Sequence, residues 1–420
     1  VVALSQPDAG MYWRSLHAAN DQFLLYAFDA AEDDVDPLPE LQSRPERVAD
    51  LHLGIDRVPG DLGFPRWTRT PITERNWRRH HVEHWDDCLA AVADLMTPGS
   101  REPEILWRIH LFGPLTGVPE AGDRATVVVL QISHALGDGR RVSDIARRLL
   151  SDGPEEKRPE SPRLPGIIAA GLGAASTVPR LAAATAIGLA AWRDDDPESG
   201  LPAVEPTALN LPGDGPTVLR TVTVPRERLR RLATSVTAAV LTVLADVLPQ
   251  FGGATADGRV IAEVTMAREP VDGQRNNFHT VGIDLSAGAE PGVRAESIAR
   301  QIDAARRRDG APARRRARRA SALAPAVLDA LAVRLAEQAP LPDRVAGTTV
   351  VSSVNRGPAD LTLSGRPVLF TAGFPALSPV HGLTHGIHGI GDRVTVSIAA
   401  RGGAAATIDD YAAAIAVALG

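Results

Sequence analysis

The stretch TVVVLQISHALGDGRRVSDIARRLL, residues 126–150, sets the frame for the rest of the chain. Its opening TVVVLQI (126–132) is a continuous run rich in β-branched side chains, the pattern of a strand buried on both faces. Beyond it, Val142, Ile145, Ala146, Leu149 and Leu150 recur at i, i+3, i+4, i+7 and i+8, one face of a helix. The spacing predicts strand, tight turn and helix, and the turn holds His134, Asp138 and Gly139. A neutral imidazole can take a proton from a hydroxyl or an amine near neutral pH, and a strand end fixes its direction. Asp138 is suited to cap the helix or to pair with an arginine. Gly139 is suited to a backbone angle closed to other residues, or to the close approach of a ligand. The competing reading is that His134 only satisfies backbone groups in the turn.

Length and composition bound the rest. A chain of 420 residues predicts two subdomains. With 44% hydrophobic and 23% charged residues it reads as globular, and a net charge of −6 gives no pull toward nucleic acid. The single cysteine, Cys88, leaves no intrachain disulfide and fits a reducing compartment. It sits in the helical pattern DDCLAAVADL, where a buried apolar role is expected. Lys157 is the only lysine, a bias without functional meaning. The opening VVALSQPDAG lacks a basic region or a cleavage site, so the expected location is cytoplasmic, with peripheral membrane contact as the alternative. That alternative rests on residues 164–192, an Ala/Gly-rich stretch interrupted by Pro165, Pro179 and Arg180. It reads as a pair of linker helices too weakly hydrophobic to cross a bilayer.

The Pro-rich, charged stretch SDGPEEKRPESPR (151–163) marks a boundary. The expected division is an N-terminal subdomain at 1–150, a crossover linker at 151–205 and a C-terminal subdomain at 206–420. Strands are expected at 218–224, 259–266, 281–285 and 348–354, and helices at 236–248, 293–307 and 320–338. Pro225 starts a short helix, and Thr407 caps a last one with Ile408, Tyr411, Ala412 and Ile415 inward.

The turn resembles the active-site signature H-H-x-x-x-D-G of the wax ester synthase/diacylglycerol acyltransferase family, which is grouped with the chloramphenicol-acetyltransferase-like enzymes and condensation domains. HHVEHWDD (80–87), EILWRIHLFGPLTG (104–117), EPTALN (205–210) and AREPVDGQRNNFHTVGIDL (267–285) resemble further family stretches in the same order. SSVNRGP (352–358) resembles its S-N-V-P-G-P segment, and Asn276 falls on the family's Asn. The resemblance implies an α/β (α+β) fold of two chloramphenicol-acetyltransferase-like subdomains with mixed sheets and an active-site tunnel between them. It implies His134 as general base and Asp138 as a chiefly structural partner. Ser133, Gly139, Asn276 and His385 would then touch substrate. A coenzyme A thioester would be co-substrate, an alcohol the acceptor, with no bound cofactor, no metal and no nucleic-acid partner.

The pattern departs from the family at three places. Ser133 replaces the first His, Thr237-Ala238 stands at an Asn-Asp pair, and Gly389-Ile390 stands at a Ser-Tyr. These departures bear on the substrate more than on the reaction. A carrier-protein-dependent condensation enzyme and a non-catalytic acyl-binding paralogue stay open beside the acyl-CoA enzyme. His381, His385 and His388 invite a metal site, but Gly382, Gly386 and Gly389 argue against a helix that would align them, so a cavity-lining role is expected for one of them. The run RRRDGAPARRRARRA (306–320) carries eight arginines. It reads as a solvated face, or as a dock for coenzyme phosphates, an acidic carrier protein or anionic lipid. Trp85 and Trp107 are expected in the core, and Arg268 is a candidate partner for Asp138.

Overall fold

The computed structural model describes all residues except 1, 32–33, 98–99, 101, 157–164, 195–200, 202 and 212. Lys157 and most of the Pro-rich boundary at 151–163 therefore lie outside the described residues. Strands are numbered in chain order. One six-stranded sheet runs β11 (Thr362–Leu363), β12 (Arg366–Phe374), β1 (Asp21–Ala30), β6 (Arg124–Ser133), β5 (Trp107–Thr116) and β4 (Trp77–His80). The other runs β7 (Val218–Pro225), β14 (Arg393–Ala400), β13 (Leu383–Ile390), β10 (Thr349–Asn355), β8 (Ile261–Ala267) and β9 (Phe278–Asp284). Strands β2 (Leu53–Asp56) and β3 (Arg66–Arg69) pair separately. Both large sheets are mixed: β4 runs parallel to β5, and β10 runs parallel to β8 and β13, among antiparallel neighbours. The chain thus has two sheet-rich subdomains of the expected class.

The helices are α1 (Gln6–Ser15), α2 (Leu38–Ser43), α3 (Trp85–Leu95), α4 (Gly139–Leu150), α5 (Gly166–Asp194), α6 (Arg226–Leu232), α7 (Val236–Val247), α8 (Pro291–Asp309), α9 (Pro312–Ala322), α10 (Ala326–Glu337), α11 (Gly403–Ala406) and α12 (Ile408–Leu419). Period-two alternation explains how the first sheet is covered. Leu24, Tyr26, Val128 and Leu130 join the core with α4, while Leu25, Ala27, Val127 and Val129 join Cys88, Leu89 and Val92 of α3. The five apolar positions expected on α4 are all buried. Each Val, Leu or Ile among them contributes about 1.5–3 kcal/mol relative to exposure. Trp85, Trp107 and Cys88 are core residues, and burial pushes the Cys88 thiol up.

Four expectations are corrected. Residues 320–338 are not one helix, because Pro325 ends the run and serves as N-cap of α10 while α9 occupies 312–322. Residues 164–192 are not a helix pair: α5 is one helix of 29 residues with Pro179 inside it. Its first half packs on the 59–63 loop, where a Cβ at Gly173 would fall 1.9 Å from the Leu62 carbonyl oxygen. Its second half lies on α9, where Arg180 donates to the carbonyls of Ala322 and Ala324. Support on both sides of the proline keeps the helix continuous. By length and composition α5 is also long and apolar enough to cross a membrane, contrary to the reading from its prolines and arginine. Finally, residues 362–374, which a division at 206 assigns to the C-terminal half, form β11 and β12 of the N-terminal sheet, with Phe23 to Phe28 of β1 paired to β12.

Candidate active site

His134 follows the last residue of β6 and opens a single 3-10 turn, Asp138 is the N-cap of α4, and Gly139 is its first residue. The strand, buried on both faces, delivers the imidazole to one place. It faces a cavity of about 1760 Å³ between the two sheets, lined from the first sheet by Asp21 and Leu24 and from the second by Thr265, Ser353 and Val354.

One loop of the C-terminal half fixes the ring. Asn276 Nδ2 donates to Asp8 Oδ1 at 2.9 Å and to the His134 carbonyl at 2.8 Å. With its amide nitrogen so placed, the Asn276 Oδ1 is the acceptor at 2.9 Å from His134 Nδ1. The proton therefore sits on Nδ1, and Nε2 is the lone-pair nitrogen left for a substrate. Burial pushes the His134 pKa below the ordinary histidine value, and the Asn276 hydrogen bond opposes this. The ring is neutral at neutral pH. Its other close neighbour is the Phe278 ring, at 5.6 Å between centroids.

Asp138 lines the cavity with both carboxylate oxygens engaged by backbone amides. Its Oδ1 accepts from the Arg141 amide at 3.1 Å and its Oδ2 from the Asn277 amide at 3.0 Å. It caps α4 and ties that helix to the loop that carries Asn276. Arg268 is not its partner: that guanidinium pairs with Asp309 at 2.8 Å.

The other expected residues divide. Asn276 is buried behind the imidazole, holding it rather than reaching the cavity. Gly139 lines the cavity with no left-handed backbone. A side chain there would press on Val354 Cγ2, 3.0 Å from where a Cβ would stand. Ser133 is fully buried away from the cavity and accepts from the Ala135 amide at 3.3 Å. His385 is also turned into the core. Thr349 donates to the Leu383 carbonyl, so its hydroxyl accepts from His385 Nδ1 at 3.0 Å, and His385 Nε2 accepts from the Tyr411 hydroxyl at 2.9 Å. His388, on the opposite face of β13, is the one that lines the cavity. His381 pairs with Glu263 at 3.0 Å, so the three histidines do not converge.

Sequence reasoning missed Asp8 and Asp50. Asp8, on α1 and fully buried, accepts from the amides of Arg275 and Asn276. Asp50 gathers Arg275 at 2.7 Å, Arg148 at 3.0 Å and Arg141 at 3.2 Å, which hold its carboxyl below the usual range against desolvation. Arg275 also stacks on Trp67 at 4.6 Å. No local motif marks either aspartate, since both act through partners more than 90 residues away in the chain.

Residues 275–420, the segment that begins with this loop, match the sequence profile of the WS/DGAT C-terminal domain. Over this segment the chain is similar to the WS/DGAT C-terminal domain. The family is one of acyltransferases, so acyl transfer is the chemistry to which the WS/DGAT domain belongs. A wax ester synthase/diacylglycerol acyltransferase from Marinobacter aquaeolei VT8 has the same fold, at 18% identity and TM-score 0.60, covering 99% of this chain and 98% of that one. The starter condensation domain of rhizomide synthetase RzmA, in a mutant form complexed with C8-CoA, matches at 12% identity and TM-score 0.58, covering 100% and 94%. Another mutant form of that domain, with C8-CoA and Leu-SNAC, matches at 13% and 0.57, with the same coverage. No curated protein matches the chain in sequence.

Proposed function

We propose that the protein transfers an acyl group from a coenzyme A thioester to an acceptor hydroxyl, with His134 as general base. The observation that carries this is the fixed tautomer: Asn276 occupies Nδ1 and leaves a basic Nε2 on the cavity. Nε2 takes the acceptor's proton as its oxygen attacks the thioester carbonyl. The tetrahedral intermediate collapses with cleavage of the carbon–sulfur bond, and the proton passes from His134 to the departing thiolate. The Ser353 hydroxyl, which accepts from Thr237 Oγ1 at 2.9 Å and lines the same cavity, is a side-chain donor available to the oxyanion. Positioned base catalysis of this kind supplies about 10²–10⁴-fold. Arg306, Arg318 and Arg319 of the basic run line the cavity and suit coenzyme phosphates, and the RzmA domains are described with C8-CoA. Likeness to condensation domains favours a carrier-protein thioester as the second reading, with the same chemistry at His134.

The exposed face of α5 supports peripheral contact with a lipid surface. Ile167, Val178, Leu189 and Trp192 are 80%, 76%, 50% and 76% exposed, and helical spacing places them on one stripe. Beside it runs α9 with its arginines, suited to anionic headgroups.

The test is acceptor-dependent thiol release from acyl-CoAs of graded length. Acceptors are a long-chain alcohol, a diacylglycerol and a short polar alcohol, with His134→Ala in parallel. Release that disappears in the variant is expected. Release that persists removes His134 from the mechanism, and release only from an acyl-loaded carrier protein selects the second reading.

A further inference from the structure

Deep in the same cavity lies a cation that this reading does not use. Arg356 follows β10, lines the cavity and is 5% exposed. Its Nη1 donates to Thr371 Oγ1 at 2.5 Å, its guanidinium lies 5.2 Å from the centre of the Tyr26 ring, and its Nε has no partner. Among the described residues no carboxylate pairs with it. Four other arginines beside the cavity are paired, Arg268 and Arg318 with Asp309, Arg306 with Asp303 and Arg14 with Glu337, whereas Arg140 and Arg319 line it without the deep burial of Arg356. Tyr26, the one group that opposes its desolvation, is itself buried with its pKa raised, so it brings no negative charge.

Beside Arg356 sits His388, 6% exposed, also on the cavity, with Nδ1 unpartnered. Burial and the neighbouring guanidinium keep it neutral. Two glycines make room for the pair. A Cβ at Gly373 would stand 2.6 Å from Arg356 Nη2 and 2.9 Å from His388 Cε1, and one at Gly386 would stand 2.6 Å from the same carbon. A buried, unpaired charge and an unpartnered buried imidazole nitrogen are each costly, and both wait here at one spot. Arginine also stands where the resembled segment has the proline of V-P-G-P, so the group is a feature of this chain.

We propose that Arg356 and His388 form a carboxylate-binding subsite in the cavity wall, and that one substrate carries a carboxylate at its far end. A guanidinium offers paired N–H donors to a carboxylate, and a neutral imidazole adds a third. The strand supplies a ruler. Asp21 pairs with Ser133, next to His134, and Tyr26, under Arg356, lies five residues further along β1. At about 3.4 Å per residue this is roughly 17 Å, so a linear chain on the order of ten to fourteen atoms spans the two. Assigning that chain to a substrate of acyl transfer rests on the function proposed above; carboxylate binding itself does not.

The test begins with binding to the full chain, by calorimetry, of dodecanoate and dodecanamide, which differ only in the charged end. The wild type is expected to prefer the carboxylate at least tenfold. Arg356→Met should bring the ratio close to one, and Arg356→Lys should retain part of it. Equal binding of the two probes by the wild type overturns the subsite, as does a preference that survives Arg356→Met. Should that variant fail to fold, His388→Leu serves in its place and must reduce the ratio.

Thiol release then identifies the source. One arm compares 12-hydroxydodecanoate with its amide as acceptor, the other the mono-CoA ester of dodecanedioic acid with dodecanoyl-CoA as donor. A tenfold preference in kcat/KM for the charged member of either pair, reduced by Arg356→Met, names the substrate that carries the carboxylate. His134-dependent release with no charge preference in either arm sinks the substrate inference and leaves the acyltransferase. Carboxylate binding without His134-dependent release in any arm sinks the acyltransferase and leaves the subsite.

Discussion

At the scale of single residues the site is a question of which nitrogen is bare. Asn276 answers it through three bonds: the two given by Nδ2 to oxygen acceptors exclude the flipped amide, and so fix Oδ1 as the acceptor of the third. The depressed pKa has a definite sign. The imidazole must be neutral to act as base, and a lowered value keeps it neutral further into acid. The acid limb of kcat/KM against pH should therefore have its midpoint below the ordinary histidine value of about 6.5. Asn276→Ala removes the bond that supports Nδ1–H, so a loss of about tenfold or more in kcat/KM is expected, with the acid limb displaced from its wild-type midpoint. A loss of activity with an unmoved limb would assign Asn276 to structure alone. The sequence exposed His134 through a motif of fixed spacing, and Asn276 only through the resemblance of its segment to the family. It could not expose Asp8, whose partners are supplied by a loop some 270 positions later.

At the scale of elements, sequence pattern was a sound guide where it follows burial, a helical period for the buried face of α4 and a continuous β-branched run for β6, buried on both faces. It failed where the deciding contact is tertiary. Pro179 reads as a break, yet α5 passes through it because the 59–63 loop supports one half and α9 the other. The residues that composition made look weakly hydrophobic are the ones left in solvent. A paired substitution on that stripe, Ile167→Asp with Val178→Asp, leaves the core intact because both side chains are exposed. Co-sedimentation with vesicles containing anionic lipid should fall at least fivefold in the double variant, while neutral vesicles should bind the wild type more weakly. Equal sedimentation of wild type and variant would show that the stripe does not meet lipid.

At the scale of the molecule, the two halves are not independent bodies joined by a linker. Leu219 and Ala399 of the second sheet share a core with α3, and β12 completes the first sheet. Residues 1–205 expressed alone lack the strand that covers the outer edge of β1, and an open apolar edge is a template for aggregation. Size-exclusion chromatography should show soluble oligomers or precipitate from that fragment, and a soluble species only on co-expression with residues 206–420. A monodisperse fragment of monomer size would mean that β1 is stable as an edge. The same swap governs the order of events during synthesis. After β6 leaves the ribosome, more than two hundred residues must follow before Arg366 appears. At about 5–20 residues per second, the exposed edge waits on the order of ten to fifty seconds for its partner. His134 is therefore made early but framed late, and the nascent N-terminal half is the interval in which a chaperone has most to protect.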